Sequence, residues 1–198
     1  MTPTIQTDNG VATFYPTSKK EWRAWLQKHH AKETSVWVVM YKKASGVPTI
    51  SWSEAVDEAL CFGWIDSTRR PVDEERSIQF FSKRKPKGTW SKINKAKIEQ
   101  LTADGLMTKA GQACIDAAKQ NGSWTILDEV EEMVMPAELE KALAEREGAM
   151  EYFMGLSRSV RKMALHRIAM AKRDETKQKR ITEIADSAAR GEKPTQAG

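Results

Sequence analysis

The sequence predicts an α+β fold, a small antiparallel sheet of three to four strands with packed helices, followed by a largely helical C-terminal half. Three observations predict it. Capped segments with apolar residues at helical spacing recur along the chain, short β-branched and aromatic runs occur only before residue 84, and from residue 91 the apolar period stays helical. The 198 residues, 40% hydrophobic and 30% charged with a mean hydropathy of -0.60, suffice for a core without disulfides or structural metal.

Residues 1–16 carry Pro3, Gly10 and Pro16 without periodicity and read as an extended arm or short edge strand. Ser18 and Glu21 make a capping box for a helix over 18–30 with Trp22, Trp25, Leu26 and His29 on its apolar stripe. Residues 35–43 are apolar on both alternating faces, as in a central strand covered on both sides. Ser51 and Glu54 make a second box. Behind it Trp52, Ala55, Val56, Ala59, Leu60 and Gly63 recur at helical spacing, so one face is expected to be buried along its whole length. Residues 64–70 and 77–83 read as an antiparallel pair around a turn at 71–75.

Helices follow from Ser91 to Gly105 and from Thr108 to Asn121, and Pro136 suits a helix start. Gly148 and Gly155 divide the next stretch. A basic helix on Val160, Met163, Ala164, Ile168 and Ala171 comes after it, then a last stripe of Ile181, Ile184, Ala185 and Ala188. The expected organisation is an arm over 1–16, an α+β domain over 17–125, a helical region over 126–190 packed on it, and a disordered tail over 191–198.

The formal charge is +5, but it is blocked. Residues 82–97 hold seven bases and no acid, 128–151 hold nine acids against Lys141 and Arg146, and 157–180 hold nine bases against Asp174 and Glu175. Neighbouring blocks of opposite sign can cancel inside the fold. Cys61 and Cys114 lie in no CxxC pair, and His29, His30 and His166 share no ligand spacing, so no metal, disulfide framework or cofactor is expected. Dinucleotide, Walker, HExxH and nucleophile-elbow patterns do not occur. No leader-like start and no apolar stretch of about 18 residues is present, so a cytoplasmic location without membrane insertion is expected.

One segment carries chemistry. Arg84, Lys85, Lys87 and Lys92 surround the helix start at Ser91, where backbone N–H groups, a capping hydroxyl and the positive dipole end favour a phosphate or carboxylate. Trp90 beside them suits stacking on a base or sugar. Asn94 is a polar group in the stripe of Trp90, Ile98 and Leu101. Asp66, two residues from Trp64 on one strand face, reads as a general acid or base, or as the buried partner of Arg84. The plainer alternative makes Ser91 a cap, Trp90 core and the lysines solvated. Trp52, Trp64 and Trp90 are all expected to be mostly buried.

The stretch AVDEALCFGWIDS at 55–67, the run from Phe80 to Asn94 and a late ETKQKRI at 175–181 resemble the YdeI/OmpD-associated family, also labelled bacteriocin-protection proteins. The resemblance spans about residues 22–190. It implies a role in bacteriocin or stress tolerance and association with an outer-membrane porin, with no implied reaction or cofactor. Two functions follow as expectations. The first is a binding protein for an anionic partner, nucleic acid or a phosphorylated small molecule, through the Lys83 to Asn94 segment, a basic loop running into a helix N-terminus. The second is a small enzyme with a pocket lined by Asp66, Arg84 and Asn94. Because a chain of positive charge repels cationic peptides, tolerance is expected to act through an anionic ligand and not through peptide capture.

Overall fold

The computed structural model describes residues 10–194, so Pro3 and the tail beyond residue 194 lie outside the described part. The chain forms two compact units. One holds the chain up to Gly88 together with Ile93–Ser123, the other Thr89–Lys92 and the chain from Trp124 onward.

In the first unit the order is β1 (Thr13–Phe14), α1 (Lys19–His29), β2 (Ser35–Tyr41), α2 (Trp52–Cys61), β3 (Trp64–Pro71), β4 (Arg76–Lys83), α3 (Lys92–Ala103, in this unit from Ile93) and α4 (Lys109–Gln120). The sheet order is β1-β2-β4-β3. β2, β4 and β3 are antiparallel neighbours, while two residues of the arm pair parallel to β2, Thr13 opposite Trp37. The edge strand is short because Gly10 and Pro16 bracket the segment, although Val11, Thr13, Phe14 and Tyr15 between them are sheet-forming residues.

β2 is buried along both faces, as its composition requires. The two covers differ. On one face Trp22 of α1 lies 5.4 Å from Phe81 and donates its indole N–H to Ala55 O of α2, so both helices are tied over the sheet. On the other, Trp37, Val39 and Ile78 are covered by Val11, Tyr15 and Val72 from the arm and a turn. The α2 box is complete: Ser51 Oγ accepts from Glu54 N–H and the Glu54 carboxylate accepts from Ser51 N–H. At α1 only half forms, because the Glu21 carboxylate accepts instead from Thr17 N–H.

The second unit contains α5 (Asp128–Glu131), α6 (Ala137–Ala144), α7 (Ala149–Gly155), α8 (Arg158–Ala169) and α9 (Asp174–Ala189). Pro136 stands just before α6, one position earlier than its composition suggested. Leu139, Leu143, Phe153, Ile181 and Ile184 form the centre of this core. The opposite charge blocks do pair here. Glu131 meets Lys162, Glu132 meets Lys92 and Glu138 meets Lys177, while Arg146 inside the acidic block meets Asp186 beyond the basic one, at 2.6 to 2.9 Å. Such partly exposed pairs contribute at most about 1 kcal/mol each, so their main effect is to cancel the local field.

Candidate functional site

The site begins with a defect in the sheet. Asp66 of β3 stands opposite Phe81 of β4, but Arg69 stands opposite Gln79, so β3 holds one extra residue. A bulge of this kind removes a ladder partner and re-aims side chains. Gln79, 2% exposed, answers it by donating its side-chain amide to Ser67 O at 3.2 Å and, at 3.4 Å, to Asp66 Oδ2. The same Asp66 oxygen accepts the indole N–H of Trp52 at 2.9 Å. Trp52 is 46% exposed, not buried with the rest of the α2 stripe. It occupies the first residue of α2, where the ring reaches past the helix end to β3. Trp64, by contrast, is fully buried against Trp25.

The sequence allows Asp66 two roles, general acid or base and buried partner of Arg84; its hydrogen bonds come from Trp52 and Gln79, and Arg84 acts on it through charge. Arg84 follows β4, with its backbone N–H on Gly63 O. Its guanidinium is partly buried, and lost hydration brings its pKa down to about 10 against the opposing pull of Cys114 and Asp66. It remains charged at neutral pH.

The basic loop after Arg84 is organised. Gly88 N–H closes a turn on Lys85 O, and Pro86 O accepts from the Asn121 side-chain amide at 2.8 Å and from Ser123 Oγ at 3.4 Å. Asn121 and Gly122, which read as a simple helix stop, therefore also hold the loop. Lys85 and Lys87 are exposed, with no carboxylate partner among the described residues. Other cations of this basic block are engaged: Lys97 with Asp57 and Ser53, Lys92 with Glu132, Lys83 with Ala31 O.

The expected set is divided between the units. Asp66, Arg84, Lys85, Lys87 and Asn94 belong to the first, and Trp90, Ser91 and Lys92 to the second. Trp90 is 2% exposed and packs on Trp124 at 5.1 Å, which is core placement and leaves no face for stacking. Ser91 and Asn94 are partly buried. The Lys92 ammonium pairs with Glu132, so an acid stands where an anionic ligand was expected.

Residues 14–114, just over half of the chain, match the family described as a domain of unknown function (DUF8412). The chain belongs to the DUF8412 family. A second match, residues 132–191, is to the family described as bacteriocin-protection, YdeI or OmpD-associated, so that resemblance is shown over part of the chain. No curated protein and no solved structure matches the chain. The bulge, Gln79, Asp66, Trp52 and the Lys85 loop of this DUF8412 member all lie inside the first match, while the motifs quoted at 55–67 and 80–94 fall there too, outside the YdeI/OmpD-associated segment.

Two features escaped sequence reasoning. Glu58 is 1% exposed, with Arg23 at 2.6 Å and Lys19 at 3.4 Å. Its signal was an acid set among Ala55, Ala59 and Leu60. In the second unit a cleft of about 560 Å³ is lined by Ile126, Val134, Met135, Leu165 and Ile168, with Glu129 and Lys177 on its wall. Val134 on its wall is 49% exposed. Among the described residues no cluster of His, Cys, Asp and Glu could hold a metal ion, and no helix is long and apolar enough to cross a membrane.

Proposed function

We propose that this protein is a non-catalytic cytoplasmic binder of a small phosphorylated ligand, whose phosphate is held by Lys85 and Lys87. The observation that carries this reading is the pinned loop: two exposed ammonium groups without carboxylate partners, on a turn fixed through Pro86 O by Asn121 and Ser123. Fixing the loop lowers the ordering cost of binding, and Arg84 adds a positive field behind it. A small ligand suits the site better than nucleic acid. Duplex or single-stranded DNA needs many unpaired cations along a strip, and Lys92, Lys97, Lys162, Lys177 and Arg167 are already paired. A catalytic role has less support, because burial pushes the Cys61 and Cys114 thiols up, away from the nucleophilic thiolate.

Under this reading, any tolerance to a bacteriocin works through the phosphorylated ligand. Calorimetric titration at low salt with inorganic phosphate, a sugar phosphate and a short DNA duplex tests it. The expected result is binding of the phosphates that Lys85→Ala with Lys87→Ala weakens about tenfold or more, the loss of one to two charge-assisted contacts. Phosphate binding unchanged in that double variant, or no binding at millimolar concentration, would overturn the reading. Tight duplex binding with a steep salt dependence would replace it with the nucleic-acid one.

A further inference from the structure

Trp52 is the one aromatic among the exposed large hydrophobic side chains of the described residues, and it is not left to wander. Its N–H is fixed on Asp66 Oδ2, Asp66 is steadied by the buried Gln79 amide, and Gln79 is anchored on Ser67 O in the bulge. The complete capping box at Ser51 and Glu54 fixes the backbone from which the ring projects. An indole held in this way presents a flat π face at little ordering cost, which is what a stacking platform requires.

The second half of the site is the other carboxylate oxygen. Asp66 Oδ2 serves Trp52 and Gln79, while Oδ1 accepts no hydrogen bond from the described residues. An ionised carboxylate is acceptor-only, so its ligand must bring an N–H or O–H donor. The Arg84 charge acts on Asp66 and disfavours an organic cation beside it, so a neutral donor suits the site better.

We infer that Trp52 and Asp66 form a binding site for a neutral planar heterocycle bearing an exocyclic amino group, as in adenine or cytosine, with the ring on Trp52 and the amino group on Asp66 Oδ1. This goes beyond the phosphate reading and stands on different residues. The probe for it carries no phosphate, so either can fail alone.

Titrate the full chain with adenosine, inosine and ribose by calorimetry, using wild type, Trp52→Phe, Trp52→Ala and Asp66→Asn, each shown to be folded by circular dichroism. Adenosine is expected to bind at least about tenfold tighter than inosine, which offers Asp66 a carbonyl where adenosine offers the amino group. Trp52→Ala should weaken adenosine about tenfold or more, with Trp52→Phe lying between it and wild type because a ring remains. Asp66→Asn, whose amide can both donate and accept, should abolish the preference for adenosine. Equal affinity in Trp52→Ala, ribose binding as tightly as adenosine, or no adenosine binding at millimolar concentration would each overturn the assignment.

Discussion

Arg23 of α1 and Glu58 of α2 form an ion pair of 2.6 Å in which the carboxylate side is almost completely buried and the guanidinium side a quarter exposed. Arg23 also donates to Leu106 O at 2.8 Å and lies over the Phe62 ring, so one guanidinium joins α1, α2 and the turn before α4. The asymmetry in burial makes the two partners unequal. Removing Arg23 strands a buried carboxylate with only Lys19 at 3.4 Å, whereas removing the charge of Glu58 leaves Arg23 with water and the Leu106 carbonyl. Arg23→Ala should therefore cost about 3 to 5 kcal/mol. Glu58→Gln should cost less, about 1.5 to 3 kcal/mol for the weakened charge-assisted bonds. Urea unfolding of the two variants checks the order, and equal losses would show that burial does not set the cost.

The α2 cap gives a pH-dependent prediction. Hydrogen bonds from the Ser51 hydroxyl and backbone N–H hold the Glu54 carboxyl below its ordinary value. A carboxyl whose folded value lies below its unfolded one stabilises the fold fully above the unfolded value, about 4.3, and loses that contribution as pH falls through the lowered folded value. Glu54→Gln should be less stable than wild type at pH 7, and the gap should close by pH 3. Ser51→Ala should cost about 1 kcal/mol at pH 7, and should keep part of that cost in acid because the Glu54 N–H loses its acceptor at any pH. Urea midpoints at the two pH values decide it.

That cap shows what a sequence can convey. A box is local, written in Ser51 and Glu54 three residues apart, and the stripe behind it gives the angular position of each side chain on the helix. The stripe does not say where a side chain overhangs the helix end, so Trp52 was placed inside although it reaches out to β3. The bulge was illegible for a related reason: an extra residue in β3 changes neither the alternation at Trp64 and Asp66 nor the composition, and only the register against β4 reveals it. Gln79 and Asp66 consequently had no visible link. Lys85 and Lys87 were legible as charge. Their freedom from partners, and the engagement of Lys92 by Glu132, depend on which residues the fold brings close across about 40 positions of sequence.

Met133 has a φ of 60°, the one non-glycine residue with positive φ among those described. It closes α5: Met133 N–H bonds to Val130 O and Val134 N–H to Glu129 O, the arrangement in which a left-handed residue, usually glycine, ends a helix. A side chain there costs roughly 1 to 2 kcal/mol, and Met133 offsets it by packing on the core of the second unit. Met133→Gly should remain within about 1 kcal/mol of wild type, backbone relief balancing lost packing. Met133→Ile should be clearly less stable, since a β-branched residue tolerates this conformation worst. Thermal unfolding of both variants tests the balance, and an isoleucine variant as stable as wild type would refute it.

Among the described glycines of the first unit, Gly111 of α4 has the least room for a side chain. A Cβ there would lie 2.3 Å from Cys61 O and 2.5 Å from Met107 Sδ. Cys61 O already accepts from Thr108 N–H at 3.1 Å and Thr108 Oγ at 2.6 Å, so the end of α2 is seated on the start of α4 and cannot withdraw without losing both bonds. Thr108 Oγ in turn accepts from Gly111 N–H, which locks the same turn from the other side. Met107 can swing its sulfur aside, but the Cys61 carbonyl is backbone and must carry the strand that follows it. Helix propensity alone would favour Gly111→Ala by about 1 kcal/mol. Overpacking against backbone should outweigh that gain and leave the variant about 3 kcal/mol less stable. Ala113→Gly, on an exposed position of the same helix, isolates the propensity effect and should cost only about 1 kcal/mol. Urea unfolding of the two variants side by side decides the matter: a stabilised Gly111→Ala would mean that α2 and α4 are not held at this contact.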